Sequence, residues 1–176
     1  MKKTFQNDLT QKHSKGIIAI HWITALLIIF LFPLGKYMSV LEPSEKMGLI
    51  QLHAVVGILV FILTIVRTWI FFKSPRPADL NTGSTFNNKL VIGVHNTFYI
   101  LLFGDSLSGI AILVMGGYGE ALKKNNPDLI KNSSEIASLE AHEIMALMMI
   151  LLLLIHVIGV IKHYVVTKEN TLKRIF

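Results

Sequence analysis

The chain has no cysteine among its 176 residues. This absence excludes thiolate ligands, thiol redox chemistry, covalent attachment of a c-type haem and iron–sulfur clusters. Charged side chains are also scarce: Asp, Glu, Lys and Arg make up 16% of the residues, whereas 52% are hydrophobic. A composition with so few charged and so many hydrophobic residues is not typical of a soluble domain and indicates a membrane protein.

Four apolar stretches are long enough to cross the ~30 Å hydrocarbon core of a bilayer as helices. They lie at Gly16–Tyr37, Met47–Phe72, Lys89–Met115 and Leu139–Val166. Each is continuously apolar and not alternating, which favours helices over the strands of a membrane barrel. The connections between them are short. We therefore expect residues 1–176 to form a single all-α domain, an antiparallel four-helix bundle in the membrane.

Basic residues are unevenly divided between the two sides of this bundle. Twelve of the seventeen lie on the side of the termini: Lys2, Lys3, Lys12, Lys15, Arg67, Lys73, Arg76, Lys89, Lys162, Lys168, Lys173 and Arg174. The positive-inside rule therefore predicts a multi-pass protein with both termini in the cytoplasm. The net charge of +6 then reflects topology and contact with anionic lipid, not nucleic-acid binding. Because the basic N-terminal segment lacks a small-residue cleavage site, we expect the first helix to be retained.

Four histidines inside the apolar stretches fall at matched depths. His142 and His156 lie fourteen residues apart, which returns them to nearly the same helix face about 21 Å apart along the axis. In the antiparallel topology His21 reaches the depth of His156 near the cytoplasmic side. His53 reaches the depth of His142 near the outer side. Since an imidazole in hydrocarbon requires a partner or a function, these positions predict two pairs of facing imidazoles.

Facing imidazoles in a bundle core are suitable axial ligands for haem iron. We therefore predict two haem b groups, an inner one held by His21 and His156 and an outer one held by His53 and His142. Two alternatives stay open at this point. A lone intramembrane histidine is often only a hydrogen-bond partner between helices, and histidine also binds zinc or copper. A transport site would gather its ligands at one depth, whereas these pairs are about 20 Å apart.

Arg67 follows His53 by fourteen residues, on the same helix face but near the cytoplasmic side. A guanidinium there suits a propionate of the inner haem, although an interfacial arginine with its head group in water has the same pattern. Gly57 and Gly159 lie close to His53 and His156 in the sequence. Without side chains they suit either a porphyrin face or close helix packing.

Other polar residues mark a possible quinone site or proton path. His95 lies near the inner pair and could replace His21 as a ligand or contact propionates or a quinone. Lys15 and His163 are candidates for a quinone site at the cytoplasmic interface, because an imidazole there can protonate a quinone carbonyl. Asp105 lies within the third helix, where a carboxyl must be neutral or paired with Ser106, Ser108 or a buried base. It fits either a proton relay or a hydrogen bond within the bundle.

Short motifs surround these histidines. They are Ser14-Lys15 followed by His21-Trp22, His53-x3-Gly57-x9-Arg67, His142-Glu143, His156, and the tail His163-Tyr164 with Lys168-Glu169-Asn170-Thr171-Leu172-Lys173-Arg174. In this combination and order they resemble the small bacterial cytochrome b561 family over nearly the whole chain. The chain departs from that family at Gly104-Asp105-Ser106, where relatives typically carry an apolar segment.

The resemblance implies a bacterial inner-membrane protein with two b-type haems on His21, His53, His142 and His156, and electron exchange with the quinone pool. Characterised members of this type oxidise superoxide at the outer face and reduce ubiquinone, which implies a superoxide:quinone oxidoreductase. Outward lysines would then steer the small anion towards the outer haem. These are Lys123, Lys124 and Lys131.

Two other functions remain open from the sequence. The chain could be the cytochrome b subunit of a larger membrane oxidoreductase, such as a hydrogenase or formate dehydrogenase, which requires a catalytic partner subunit. It could also be a metal or proton transporter whose pathway uses the histidines and Asp105. Such a transporter would carry no visible chromophore.

Overall fold

A computed structural model describes residues 11–73, 78, 81–82 and 84–175. Five α-helices follow one another along the chain: α1 (Lys15–Met38), α2 (Pro43–Lys73), α3 (Thr85–Met115), α4 (Tyr118–Lys124) and α5 (Ala137–Thr167). Short 3₁₀ turns lie at Pro127–Leu129, Ser133–Glu135 and Thr171–Arg174, and there is no strand in the described part of the chain. Four of the helices are long and apolar enough to cross a membrane. The prediction of an all-α membrane bundle of four helices is confirmed.

Each membrane helix begins one to four residues before its predicted start and ends within one residue of its predicted end. The apolar stretch marks only the part of a helix that lies in hydrocarbon, whereas hydrogen bonding continues into the polar interface. Side-chain caps define two of the starts, since Ser14 accepts from the Ile17 amide and Ser84 from the Asn87 amide. Lys2, Lys3 and Arg76, which contribute to the predicted orientation, lie outside the described residues.

The four long helices pack in chain order. The main contacts are α1 with α2, α2 with α3, and α3 with α5, whereas α1 and α5 touch only marginally. The centre holds a small apolar cluster of Val60, Leu101, Leu102 and Met149. Gly104 lets α3 and α5 approach closely, because a Cβ there would lie 2.6 Å from the Met145 sulfur.

The outside of the bundle is apolar. Leu26, Trp69, Ile100 and Val114 are between 63% and 76% exposed. Large apolar side chains over the whole length of the long helices would be unstable in water but suit a hydrocarbon environment. The surface therefore agrees with a membrane-embedded bundle.

The connection between α3 and α5 is more ordered than its glycines suggest. It contains α4, and its Ala121 and Ile136 are buried. Gly117 has a φ of +79°, and a Cβ there would collide with the main-chain oxygen of Leu129. Glycine is thus required at this tight turn.

Residues 11–14, Ala78 and residues 171–175 meet at one end of the bundle, which we call the terminal end; the other end is the distal end. Arg174 is buried, with its Nε donating to the Gln11 carbonyl at 3.3 Å and its Nη2 donating to the Ala78 carbonyl at 2.6 Å. The His13 amide donates to the Arg174 carbonyl, and the Trp22 indole donates to the Ile175 carbonyl at 2.9 Å. These bonds close the terminal end with the C-terminal segment.

Replacing Arg174 by Ala should lower the apparent Tm in detergent, measured by circular dichroism, by several degrees. Hydrogen bonds from a charged donor contribute ~1.5–3 kcal/mol, and two carbonyls would lose theirs. Lys173→Ala removes an exposed cation from the same turn and should leave the Tm unchanged. Equal Tm values for the two variants would show that the Arg174 bonds do not stabilise the fold.

Candidate functional site

His53 of α2 and His142 of α5 face each other towards the distal end. Their ring centroids are 6.1 Å apart, and the ring planes are inclined by 71°. Glycines lie behind both rings: a Cβ on Gly35 would be 3.4 Å from His53 Cε1, and one on Gly109 would be 3.5 Å from His142 Cε1. The structure thus brings this predicted pair together.

A cavity of about 650 Å³ contains both histidines. Its walls come from all four long helices and from Tyr118 of α4. The volume lies within the ~300–1,000 Å³ usual for cofactor sites. Tyr118 lies in this wall close to Glu143, and burial followed by the Glu143 charge raises the pKa of Tyr118 above its ordinary value. Tyr118 thus contributes a phenol hydroxyl, which can donate and accept a hydrogen bond, to the cavity wall.

The distal pair fits a haem by three observations. An imidazole nitrogen binds a metal at about 2 Å, so two imidazoles on opposite sides of one metal have centroids roughly 6 Å apart, as His53 and His142 do. His53 Nδ1 is buried without a hydrogen-bond partner. His142 Nδ1 lies 3.0 Å from the Asp105 main-chain oxygen, which leaves its Nε2 free to bind a metal.

The terminal end is arranged differently. The His156 ring packs against His95 of α3, with centroids 5.4 Å apart, and against Phe98 at 5.5 Å. His21 instead contacts its neighbour Trp22 at 5.4 Å. His21 and His156 lie within electrostatic range of each other. Since α1 and α5 touch only marginally, these two predicted partners lie near each other without ring contact.

Arg67 lies among these terminal-end histidines. Its guanidinium carbon is 5.5 Å from the centre of the Tyr99 ring, a cation–π contact. Its charge acts on His13, His21 and His156. Arg67 therefore faces the bundle, unlike an interfacial arginine whose head group lies in water. Its guanidinium can bind an anionic group beside the terminal-end histidines.

The remaining predicted site residues are less closely grouped. His163 Nε2 lies 3.2 Å from Glu169 Oε2, and both side chains are largely buried. Lys15 is exposed at the start of α1. A Cβ on Gly57 or Gly159 would meet nothing within 4 Å, so close helix packing does not require either glycine. Gly57 lines the distal cavity.

Several cavity residues were missed by sequence reasoning. Lys36 and Lys46 line the distal cavity, whereas Lys124 on α4 pairs with Glu120 at 3.3 Å. Lys36 and Lys46 flank the short α1–α2 connection, and this position at the bundle end was the available signal. Ser108 was named from the sequence as a partner for Asp105, but its contact with His142, with Oγ 3.0 Å from Nδ1, was not predicted.

The structure shows no cluster of metal-binding side chains, among the described residues, that would support the metal-transport alternative. Within the described ranges, no group of three or more His, Cys, Asp or Glu side chains could hold a metal ion. The polar groups instead form two imidazole sites at different depths.

A membrane four-helix bundle with paired imidazoles in its core defines the class of haem-binding membrane cytochromes. Residues 12–176 match the family model described as prokaryotic cytochrome b561. The chain belongs to this family. It is therefore a b-type cytochrome of a bacterial membrane, it binds haem b, and it transfers electrons across the membrane.

Several relatives are similar over nearly their whole length. Cytochrome b561 homolog 2 of Escherichia coli (strain K12) is 26% identical over 167 residues, covering 90% of this chain and 89% of the relative. The probable superoxide oxidase CybB of Yersinia pestis is 27% identical over 167 residues, covering 93% and 95%. Cytochrome b562 of Cereibacter sphaeroides is 27% identical over 163 residues, covering 89% and 90%.

Acid should destabilise the terminal end through His13. Burial, and after it the charges of Arg174, Arg67 and His95, lower the pKa of His13 below its ordinary value. The unfolded chain then binds a proton more readily than the folded one, so stability present above pH ~6.5 is lost as the pH falls below it. Between pH 8 and pH 5 the Tm should fall further for the native chain than for His13→Asn. Parallel Tm curves would contradict this linkage.

Proposed function

We propose that this cytochrome carries electrons between the two membrane faces through two haems b, each held by two histidines. His53 and His142 hold the distal haem, and His21 and His156 hold the terminal one. Haem iron supplies one-electron redox chemistry when bound. If two histidines held each haem, the protein would leave no place on the iron for the donor, and the haem would supply electron transfer without binding the donor.

The single observation that carries this proposal is the distal pair. Two imidazoles from α2 and α5 lie 6.1 Å apart in a cavity of about 650 Å³. An arrangement of this kind buries polar nitrogens in hydrocarbon at a cost that metal ligation offsets. A simple hydrogen bond between helices would instead place the two ring nitrogens in contact.

At the terminal end, Arg67 supports the second haem. A guanidinium close to His21 and His156 can neutralise a haem propionate through a charge-assisted hydrogen bond. We propose that the terminal end lies in the cytoplasm and the distal end outside, a topology supported by the excess of basic residues on the terminal side. The two haems would then span most of the membrane thickness, since His142 and His156 are about 21 Å apart along α5.

We infer that the donor at the outer face is superoxide and that the acceptor is ubiquinone. The name of the Yersinia pestis relative supports the first assignment. A small anion at the outer face would meet Lys36 and Lys46 in the wall of the distal cavity. Ubiquinone would bind at the terminal end beside Lys15 and His163, where Glu169 holds the imidazole.

Histidine variants test the ligand assignment directly. His53→Ala and His142→Ala should each reduce the haem content from two to one per chain, and should lose the same haem. His21→Ala and His156→Ala should each lose the other one, whereas His95→Ala should keep both. His95 provides a sharp comparison because its ring contacts His156. Haem is counted by the pyridine haemochrome method on purified protein.

His13→Ala is the matched control, since His13 precedes α1 and should keep two haems. Loss of the terminal haem in His95→Ala but not in His21→Ala would reassign that ligand. Two haems in both His53→Ala and His142→Ala would contradict the distal site.

A further inference from the structure

The two histidines of the distal pair differ in what holds them. His53 Nδ1 is buried without a hydrogen-bond partner. His142 Nδ1 has two polar neighbours on α3, the Asp105 main-chain oxygen and Ser108 Oγ, each at 3.0 Å. One ligand of the proposed distal haem is therefore fixed by hydrogen bonds from a neighbouring helix, and the other is not.

These bonds determine which nitrogen of His142 carries the proton. A carbonyl oxygen can only accept, so Nδ1 must be the donor and Nε2 must be bare. The Ser108 hydroxyl donates to the same Asp105 carbonyl at 3.0 Å, which leaves its own oxygen free to accept from Nδ1. The cluster is thus consistent with one tautomer of His142, the one that binds metal through Nε2.

The Asp105 carboxyl adds a second polar group to this cluster. Its Oδ1 is buried without a hydrogen-bond partner and lies 3.8 Å from His142 Nδ1. Asp105 also lines the distal cavity. A carboxyl within a membrane helix is costly, and here it lies beside His142, whose Nδ1–H points from α5 towards α3.

Helix geometry explains why these groups converge. Asp105, Ser108 and Gly109 are spaced at i, i+3 and i+4, so they share one face of α3. Gly109 lies on this face against the imidazole, since a Cβ there would be in van der Waals contact with His142 Cε1 at 3.5 Å.

We propose that Asp105 and Ser108 are positioning residues that fix His142 as an Nε2 ligand and lower the reduction potential of the distal haem. This inference rests on the proposed function. Hydrogen bonds from Nδ1–H to the Asp105 carbonyl and Ser108 Oγ make the imidazole more electron-rich and so stabilise the oxidised iron, and the Asp105 carboxyl oxygen 3.8 Å from Nδ1 adds a polar group beside the same proton. A lower distal potential favours electron transfer from the distal haem to the terminal one, which is the inward direction.

Redox titration of Asp105→Asn tests the proposal. The substitution keeps the size of the side chain and the main-chain carbonyl but removes the acid. In the purified two-haem protein, the midpoint potential of one haem should rise and that of the other should stay. Ser108→Ala removes the hydroxyl 3.0 Å from His142 Nδ1 and should raise the same midpoint, so it carries the test if Asp105→Asn fails to fold. Electron paramagnetic resonance should show a shift in the low-spin signal of that haem only.

Ser138→Ala is the matched control. Ser138 lies on α5 one turn before His142 and is not one of the residues that line the cavity, so both midpoints should stay. Two bound haems with midpoints unmoved by both Asp105→Asn and Ser108→Ala would overturn this inference alone. A native protein that binds no haem would overturn the proposed function and this inference with it.

Discussion

A polar side chain inside hydrocarbon must find its partners within the protein, and this constraint organises the bundle. Lipid offers no hydrogen bonds, so most of the intramembrane imidazoles lie against another helix. His142 of α5 bonds to α3 and faces His53 of α2. His156 of the same helix packs against His95 of α3. The histidines thus connect helices that the small apolar cluster around Met149 would hold together only weakly.

The two ends of the molecule meet this constraint in different ways. At the distal end, the His53 and His142 rings line one cavity and each ring lies against a glycine. Asp105 and Ser108 of α3 contact the His142 ring. At the terminal end, positive charge gathers instead: Arg67 lies beside the histidines, and Arg174 fixes the C-terminal segment across the bundle. This difference suits a protein in which a donor reaches one end from water and an acceptor reaches the other from the membrane.

Much of the fold could be predicted because hydrocarbon selects so strongly for long apolar helices. The depth of a residue along a helix also follows from counting residues. This count was enough to predict that His53 and His142 face each other. Rotation about the helix axis does not follow from counting. For this reason the sequence did not show that His95, not His21, contacts the His156 ring, or that Ser108 supports His142. The ordered α4 connection was also missed, since the role of Gly117 depends on the distant Leu129 carbonyl.

The central claim is that this bundle holds two haems per chain. The most direct test is the dithionite-reduced minus air-oxidised absorption spectrum of protein purified from haem-replete cells, combined with a haem count against protein mass. We predict the α-band of a b-type cytochrome and two haems per 176-residue chain. A single haem per chain would contradict the paired sites, and a colourless protein would contradict haem binding altogether.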